Sequence, residues 1–180
     1  GRHLLASLDD IAWLYNIRGE DIAFTPVALA FSIIDMQKAV LYLNPAAADD
    51  ETIGRLAKDG VSIRPYEQVY DDVGQLPAGS VLVYDEASVN VALAHCIPEK
   101  VSTVIQPNPS MIMKARKNPV EVNNIRNAHI KDGLAVTRLI YWIKQEMKKS
   151  PQPEITELDV CRKMEEFRQQ GEGYLGQSYD

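Results

Sequence analysis

The stretch KNPVEVNNIRNAHIKDGLAVTRLIYWIKQEMK, residues 117–148, decides how the chain is divided. It predicts one long helix, because Asn118 can cap the first turn, Pro119 suits the first helical position and Glu121 lies three residues past the cap. Residues at three- and four-residue steps form one largely apolar stripe: Val122, Ile125, His129, Gly133, Val136, Ile140, Ile143 and Met147. Such a helix is about 45 Å long and crosses a whole domain. We therefore expect a new structural unit to begin near residue 113.

The residues before this helix alternate between strand and helix signals. Short apolar segments predict six strands, at residues 4–6, 27–34, 38–43, 61–63, 81–84 and 101–105. Helical segments lie at residues 9–16, 49–60, 66–73 and 88–96. The turn Asp35-Met36-Gln37 joins the second and third strands and predicts a hairpin. This order of elements predicts a mixed sheet covered by helices.

A second amphipathic helix follows the long one. The segment Ser150-Pro151-Gln152-Pro153 is a stiff connector, and Thr156 caps the next helix with Asp159 three residues on. Ile155 and Val160 have the spacing of a hydrophobic staple. Met164 and Phe167 continue the apolar face from Val160, and Gly171 and Gly173 end it. Two amphipathic helices need a surface to pack on, so residues 113–180 predict the opening of a larger domain. We expect the stripe of the long helix to be partly exposed or covered by another copy.

Composition and charge exclude several classes of protein. Apolar residues make up 46% of the chain and charged residues 24%, as in an ordinary globular protein. The net charge of −6 argues against a nucleic-acid partner. No apolar run reaches the roughly 18 residues that span a membrane, and the start Gly1-Arg2-His3 does not have the pattern of a secretory signal. Cys96 and Cys161 lie far apart without metal-type spacing, which favours reduced thiols and a cytoplasmic protein.

Three acidic doublets are the first candidates for chemistry: Asp9-Asp10, Asp49-Asp50 and Asp71-Asp72. Paired carboxylates can bind metals or act as acid and base. Each doublet, however, lies where a helix is predicted to begin. We therefore interpret all three as helix caps.

The histidines and the known short motifs add no catalytic centre. His3, His95 and His129 do not form a metal-binding pair on one helix face. We expect His129 to be a core or interface histidine within reach of Asp132. The chain has no glycine-rich phosphate loop and no nucleophile elbow. The residues alone therefore predict no catalytic residue and no metal ligand, and they leave the substrate-binding residues unknown.

Two segments resemble one family of peptidases. The first is Ser7-Leu8-Asp9-Asp10-Ile11-Ala12-Trp13-Leu14-Tyr15-Asn16-Ile17-Arg18-Gly19, followed by Asp21-Ile22 and Pro26-Val27. The second is Lys114-Ala115-Arg116-Lys117-Asn118-Pro119-Val120-Glu121, continuing to Arg126-Asn127-Ala128-His129-Ile130-Lys131-Asp132-Gly133. The first segment resembles the middle domain of the three-domain Xaa-Pro aminopeptidases (aminopeptidase P). The second resembles the junction between that middle domain and the catalytic domain. The two segments occur in the right order, so the resemblance covers essentially the whole chain.

The resemblance implies an α/β fold in two parts. Residues 1–112 resemble a middle domain of the creatinase/prolidase N-terminal type, a mixed six-stranded sheet with helices on both faces. This agrees with the six strands predicted above. Residues 113–180 resemble the first helices of the pita-bread metallopeptidase domain, which would be incomplete here.

The resemblance also implies a function. The family consists of hydrolases that remove the N-terminal residue from peptides whose second residue is proline. The resemblance further implies that the full-length enzyme is a homodimer. Two divalent metal ions, usually manganese, are held by two aspartates, a histidine and two glutamates that all lie beyond the sequence resembling Ser178-Tyr179-Asp180. We therefore assign no catalytic residue, metal ligand or cofactor to this chain and expect it to be architectural and inactive alone. Its partners would be proline-containing peptides, through the full-length enzyme, and neither nucleic acid nor membrane.

Two other classes of function remain open. One is a non-catalytic scaffold that keeps the pita-bread framework to bind peptides or proteins, and the other is a free-standing α/β domain that binds a small ligand. The sequence beyond residue 180 would distinguish the first from the enzyme.

Arg18 has two interpretations as well: it orients a loop at a domain or dimer boundary, or it forms a surface salt bridge.

Overall fold

The computed structural model describes residues 1–151 and 153–179. The chain forms two compact units, Gly1–Arg116 and Lys117–Asp180. The first unit contains the sheet, and the second contains the long helix and the helix that follows it. The predicted connector at residues 150–153 includes Gln152, which lies outside the described residues.

The first unit is built from strands and short helices. Its strands are β1 Arg2–Leu5, β2 Phe31–Ile34, β3 Ala39–Leu43, β4 Val61–Pro65, β5 Val81–Tyr84 and β6 Ser102–Ile105. Its α-helices are α1 Leu8–Leu14, α2 Asp50–Lys58, α3 Gln68–Gly74, α4 Val91–His95 and α5 Pro109–Ala115, with a short 3-10 helix at Pro45–Ala47.

The strands form one mixed sheet in the order β4-β3-β2-β1-β5-β6. β1, β2 and β3 are antiparallel neighbours, which confirms the predicted hairpin. The pairs β3–β4, β1–β5 and β5–β6 are parallel. The mixed six-stranded α/β sheet predicted from the sequence is therefore confirmed.

Apolar side chains cover both faces of this sheet, because alternate residues of a strand point to opposite sides. Leu4 and Tyr42 pack on one face with Val69 and Val73 of α3. Leu5 belongs to the cluster on the other face, which includes Ile11 from α1, Tyr15 at the C-cap of α1 and Leu56 from α2. Helices therefore flank the sheet on both sides, as predicted.

The second strand is shorter than predicted. Residues 27–30 precede β2 and are not part of it. Their backbone is bound to the preceding loop instead: the Val27 amide donates to the Thr25 carbonyl at 2.8 Å, and the Leu29 amide donates to the Asp21 carboxylate at 2.7 Å. Val27 and Ala30 are nevertheless buried, so the apolar run reflects burial rather than strand pairing.

The segment Pro107-Asn108-Pro109, which the sequence suggested as a break, introduces an additional helix. α5 begins at Pro109, with Asn108 at its N-cap position. Proline suits this first position, because the N–H that it lacks has no partner inside the helix. α4 is shorter than predicted, because it begins only at Val91. Asn90 is its N-cap, and the Asn90 side chain accepts a hydrogen bond from the Leu93 amide at 2.8 Å.

The second unit consists of α6 Pro119–Glu146 and α7 Glu157–Gln169, which pack on each other. The cap predicted for the long helix is confirmed. The Asn118 side chain accepts from the Glu121 amide at 2.9 Å, and the Glu121 carboxylate accepts from the Asn118 amide at 2.7 Å. Thr156 and Asp159 form the same reciprocal arrangement at the start of α7.

The face of α6 that packs on α7 is not the predicted stripe. Ala135 is buried on α6, and Leu139 and Trp142 are half-buried on the same side. Lys163 of α7 lies 5.6 Å from the centre of the Trp142 ring. In the predicted stripe, Ile125 and Ile140 are exposed to 43% and 49%. The stripe is thus partly exposed, as expected, and α7 covers a neighbouring face.

Candidate functional site

The loop at residues 16–29, here called the Arg18 loop, carries much of the first family-like segment. It leaves α1 through Asn16, whose φ of 48° is left-handed. The Arg18 guanidinium donates to the carbonyls of Ala12 and Ile17 at 3.0 and 2.8 Å. Arg55 of α2 donates to the carbonyls of Tyr15 and Asn16 at 3.1 and 3.3 Å. Two cations thus bind the negative end of α1, and Arg18 orients the loop.

Gly19 lets the Arg18 loop fold closely onto itself. A Cβ at this position would lie 2.9 Å from the N, Cα and Cβ of Ala28. The partner is backbone, so it has little freedom to move away. The Asp21 carboxylate holds the same return of the chain through the Leu29 amide. The sequence Arg18-Gly19 is therefore explained by a close backbone approach and by the capping of α1.

A cavity of about 410 Å³ lies beside this loop. Its lining includes Arg18, Asp21, Leu29, Asp49 and Arg55. Each of these charged side chains already bonds to backbone groups of the same unit, since Asp49 accepts from the Thr52 amide at 2.7 Å. The charged residues of this cavity therefore hold the loop and the helices together.

Asp49 is the one acidic doublet residue whose predicted cap the structure confirms. It is the N-cap of α2, and its hydrogen bond to Thr52 lowers the pKa of its carboxyl group. An anion at this position also interacts favourably with the helix dipole.

The cap interpretation is wrong for Asp10. Ser7 occupies the N-cap of α1 without a side-chain cap bond, and Asp10 is buried in the first turn, as the third residue of the helix. Its carboxylate accepts from the Ser110 hydroxyl and from the Lys114 ammonium, both at 2.9 Å. Asp10 therefore binds α5 to α1, in a contact between residues that lie 100 positions apart.

The cap interpretation is also wrong for Asp72, which lies inside α3. Its carboxylate accepts from the Tyr42 hydroxyl and from Arg64, both at 2.6 Å. Burial raises the pKa of Tyr42, and the hydrogen bond to Asp72 raises it further. This trio binds α3 to β3 and β4.

The histidines occupy three separate environments. His3 lies beneath α5, near Asn108 and Asp10. His95 is exposed at the end of α4. His129 is exposed on α6, so it is not a core histidine within this chain, and its place at an interface stays a prediction. Its expected neighbour Asp132 instead accepts from Arg168 of α7 at 2.7 Å.

Sequence reasoning missed the roles of Ser110, Lys114 and Arg55, whose partners are all distant in the chain.

The second unit has a cavity of its own, of about 480 Å³, between α6 and the residues that follow α7. Two cations of its lining are bound to neighbouring groups: Lys131 donates to the Glu172 carbonyl at 2.8 Å, and Arg138 donates to the Gln170 side chain at 3.0 Å.

Neither a metal cluster nor a membrane-spanning helix is found in the described part of the chain. Across residues 1–151 and 153–179, no three side chains of His, Cys, Asp or Glu are grouped so that they could hold a metal ion. Over the same residues, no helix is both long and apolar enough to cross a membrane.

Known proteins resemble the chain over nearly its whole length. Xaa-Pro aminopeptidase 1 of Dictyostelium discoideum is 32% identical over 98% of the chain, and aminopeptidase P1 of Arabidopsis thaliana is 31% identical over the same share. The chain spans only 28% and 34% of the lengths of these relatives.

Solved structures show the same fold. An X-prolyl aminopeptidase from Caenorhabditis elegans, described as a cytosolic enzyme with a di-nuclear active site, superposes with a TM-score of 0.90 at 24% identity. The match covers 99% of this chain and 30% of that one. An X-Pro aminopeptidase from Thermotoga maritima matches with a TM-score of 0.60 at 16% identity, over 97% of this chain and 46% of that one.

The family match covers most of the first unit and extends into α6. Residues 2–121 match the creatinase/prolidase N-terminal domain. The matched range includes the six-stranded sheet, the Arg18 loop, α5 and the cap of α6. The chain belongs to the creatinase/prolidase N-terminal domain family.

Proposed function

We propose that this chain is the architectural part of an Xaa-Pro aminopeptidase, an enzyme that hydrolyses the N-terminal Xaa-Pro bond of peptides. The observation that carries the proposal is the similarity to two aminopeptidases P over 98% of the chain. The chain spans about a third or less of those relatives, so the proposal implies a longer polypeptide. In that polypeptide, residues 1–112 are the middle domain and residues 113–180 supply the first helices of the catalytic domain.

The metal centre lies in the rest of the longer polypeptide in this proposal. It holds two divalent ions, which we take to be manganese, and the di-nuclear site of the Caenorhabditis elegans enzyme supports the number. The ions would activate a water for attack on the peptide bond. The carboxylates that attract attention in this chain are used otherwise: Asp10 binds α5, Asp49 caps α2, and Asp72 binds Tyr42 and Arg64.

This chain contributes structural support: it fixes α5 and presents the apolar surface of α6. Asp10 fixes α5, and α5 ends at Ala115, next to the division between the two units. The exposed apolar residues of α6, among them Ile125 and Ile140, are contact surface for the rest of the catalytic domain. We further propose a cytosolic homodimer, in keeping with the cytosolic relative from Caenorhabditis elegans.

The test compares the 180-residue chain with the longer polypeptide. Each is incubated with manganese and a peptide whose second residue is proline, and release of the first amino acid is measured by chromatography. We expect release by the longer polypeptide and none by the chain. Release by the chain alone contradicts its architectural role. An inactive longer polypeptide that still binds such peptides supports the scaffold alternative instead. Light scattering of the longer polypeptide measures whether that polypeptide is a dimer.

A further inference from the structure

α5 is held on the first unit by a cluster of polar residues, here called the α5 anchor: His3, Asp10, Asn108, Ser110 and Lys114. The exposed fractions of Asp10, Asn108 and Ser110 are only 3%, 3% and 7%. The Asp10 carboxylate binds both the Ser110 hydroxyl and the Lys114 ammonium of α5. The anchor therefore links β1, α1 and α5 through three buried polar residues and two that are half-buried, His3 and Lys114.

Two polar atoms of the α5 anchor are left over. Nε2 of His3 and Oδ1 of Asn108 are buried, and among the described residues neither has a partner at hydrogen-bond geometry. Leaving such a group without a partner costs on the order of 1–3 kcal/mol. One of the two groups, the imidazole of His3, can also take up a proton.

The charges around His3 determine how it responds to acid. Its strand neighbours, Ile34 of β2 and Val83 of β5, are apolar. From α1 and α5 the charged groups are Asp10 and Lys114, which already neutralise each other. The adjacent Arg2 points to the opposite face of the sheet. It lies 3.9 Å from Asp35 and donates to Ser80 at 3.2 Å. No unpaired anion of the α5 anchor, among the described residues, is available to a charged imidazole.

Burial lowers the pKa of His3, and this effect is larger than the two that raise it, which are the hydrogen bond that a charged imidazole makes to the Asn108 side chain and the charge of Asp10. The closed state therefore binds a proton less readily than an open state in which the imidazole is solvated. The free energy that favours the closed state is complete above the ordinary histidine pKa of about 6.5. It falls as the pH drops from there toward the lowered pKa of the folded protein.

We propose that the α5 anchor is an acid-sensitive latch, in which protonation of His3 releases α5 from α1 and β1 while the sheet stays folded. Only α5 opens because its remaining contacts are few: Met111, Ile112 and Met113 are exposed to 48%, 58% and 56%. The strands bury Leu4, Leu41 and Leu82 completely, so they belong to the more stable part of the unit. α5 ends at Ala115, two residues before the second unit begins at Lys117.

Hydrogen exchange measured by mass spectrometry on the 180-residue chain tests the latch. Exchange of the α5 amides is compared at pH 7.5 and pH 5.5, after correction for the intrinsic pH dependence of exchange, with β3 amides as an internal reference. Uptake of one proton on opening allows an increase of up to about tenfold in the open fraction of α5 at pH 5.5. The β3 amides keep their protection.

Four variants locate the effect. His3→Gln and His3→Asn remove the titrating group and are expected to abolish the pH dependence, and His129→Gln, on the exposed surface of α6, is expected to keep it. Lys114→Met keeps His3 but leaves the Asp10 carboxylate without its cation, and this carboxylate raises the pKa of His3 in the closed state. We therefore expect α5 to be more open at both pH values, with a smaller dependence on pH. Equal protection at both pH values in the unaltered chain overturns the proposal. So does a pH dependence that survives removal of His3.

Discussion

Replacing Gly19 with alanine tests the account of the Arg18 loop. The added Cβ would lie 2.9 Å from three atoms of Ala28, two of them backbone, where an ordinary contact requires at least 3.4 Å. The loop must move by about half an ångström, against the hydrogen bonds that Arg18 and Asp21 make. Overpacking of this kind costs about 1–3 kcal/mol. We therefore expect Gly19→Ala to lower the free energy of unfolding by that amount.

Gly54→Ala is the matched control for this substitution. Gly54 lies inside α2, and a Cβ there meets nothing within 4 Å. Alanine favours the helix over glycine by up to about 1 kcal/mol, so this variant should be more stable than the unaltered chain. Both are measured by urea unfolding followed by circular dichroism. A Gly19→Ala variant within about 0.5 kcal/mol of the unaltered chain would refute the close approach to Ala28, since that is the range of ordinary surface substitutions.

Three further predictions concern polar contacts. Asp72→Asn removes the charge that helps to raise the pKa of Tyr42, so the phenol should ionise at lower pH in an ultraviolet titration; an unchanged titration contradicts the contact. Asn118→Ala removes the cap of α6 and should cost about 1 kcal/mol in urea unfolding, whereas Asn124→Ala, in the exposed interior of the same helix, should cost nothing. Equal effects of the two would show that the cap does not contribute. Asp10→Ala leaves the Ser110 hydroxyl buried without its acceptor and should cost about 1–3 kcal/mol, with α5 exchanging faster than β3; uniform loss of protection contradicts a local anchor.

Features that depend on nearby residues could be predicted from the sequence. The caps at Asn118, Asp49 and Thr156 were found because a cap and its partner amide lie three residues apart. β5 is a short apolar run between turn residues, and its predicted bounds agree with the structure. The six-stranded sheet followed from such local signals.

Features that depend on distant residues could not be predicted. Asp10 and Asp72 have the local context of helix caps, but Ser110 lies 100 residues from Asp10 and Tyr42 lies 30 residues from Asp72. A single sequence contains no sign of these pairs. The close approach of Gly19 to Ala28 is equally hidden, since it depends on how the loop returns.

The packing of α6 shows a second limit. The helix carries large apolar residues on more than one side, so its periodicity does not determine which side α7 covers. The strongest stripe includes Ile125 and Ile140, which are exposed, whereas the covered side has the small Ala135 beside Leu139 and Trp142. A small residue lets α7 approach closely, and its hydrophobicity is too low to mark the contact in a pattern.

The central claim is that this chain supplies architecture and that the metal ions are bound elsewhere in a longer polypeptide. Metal stoichiometry tests it most directly. The 180-residue chain and the longer polypeptide are each equilibrated with manganese, freed of unbound metal on a desalting column and analysed by inductively coupled plasma mass spectrometry. We predict two manganese ions per protomer of the longer polypeptide and none retained by the chain. Stoichiometric retention of manganese by the chain would contradict the claim.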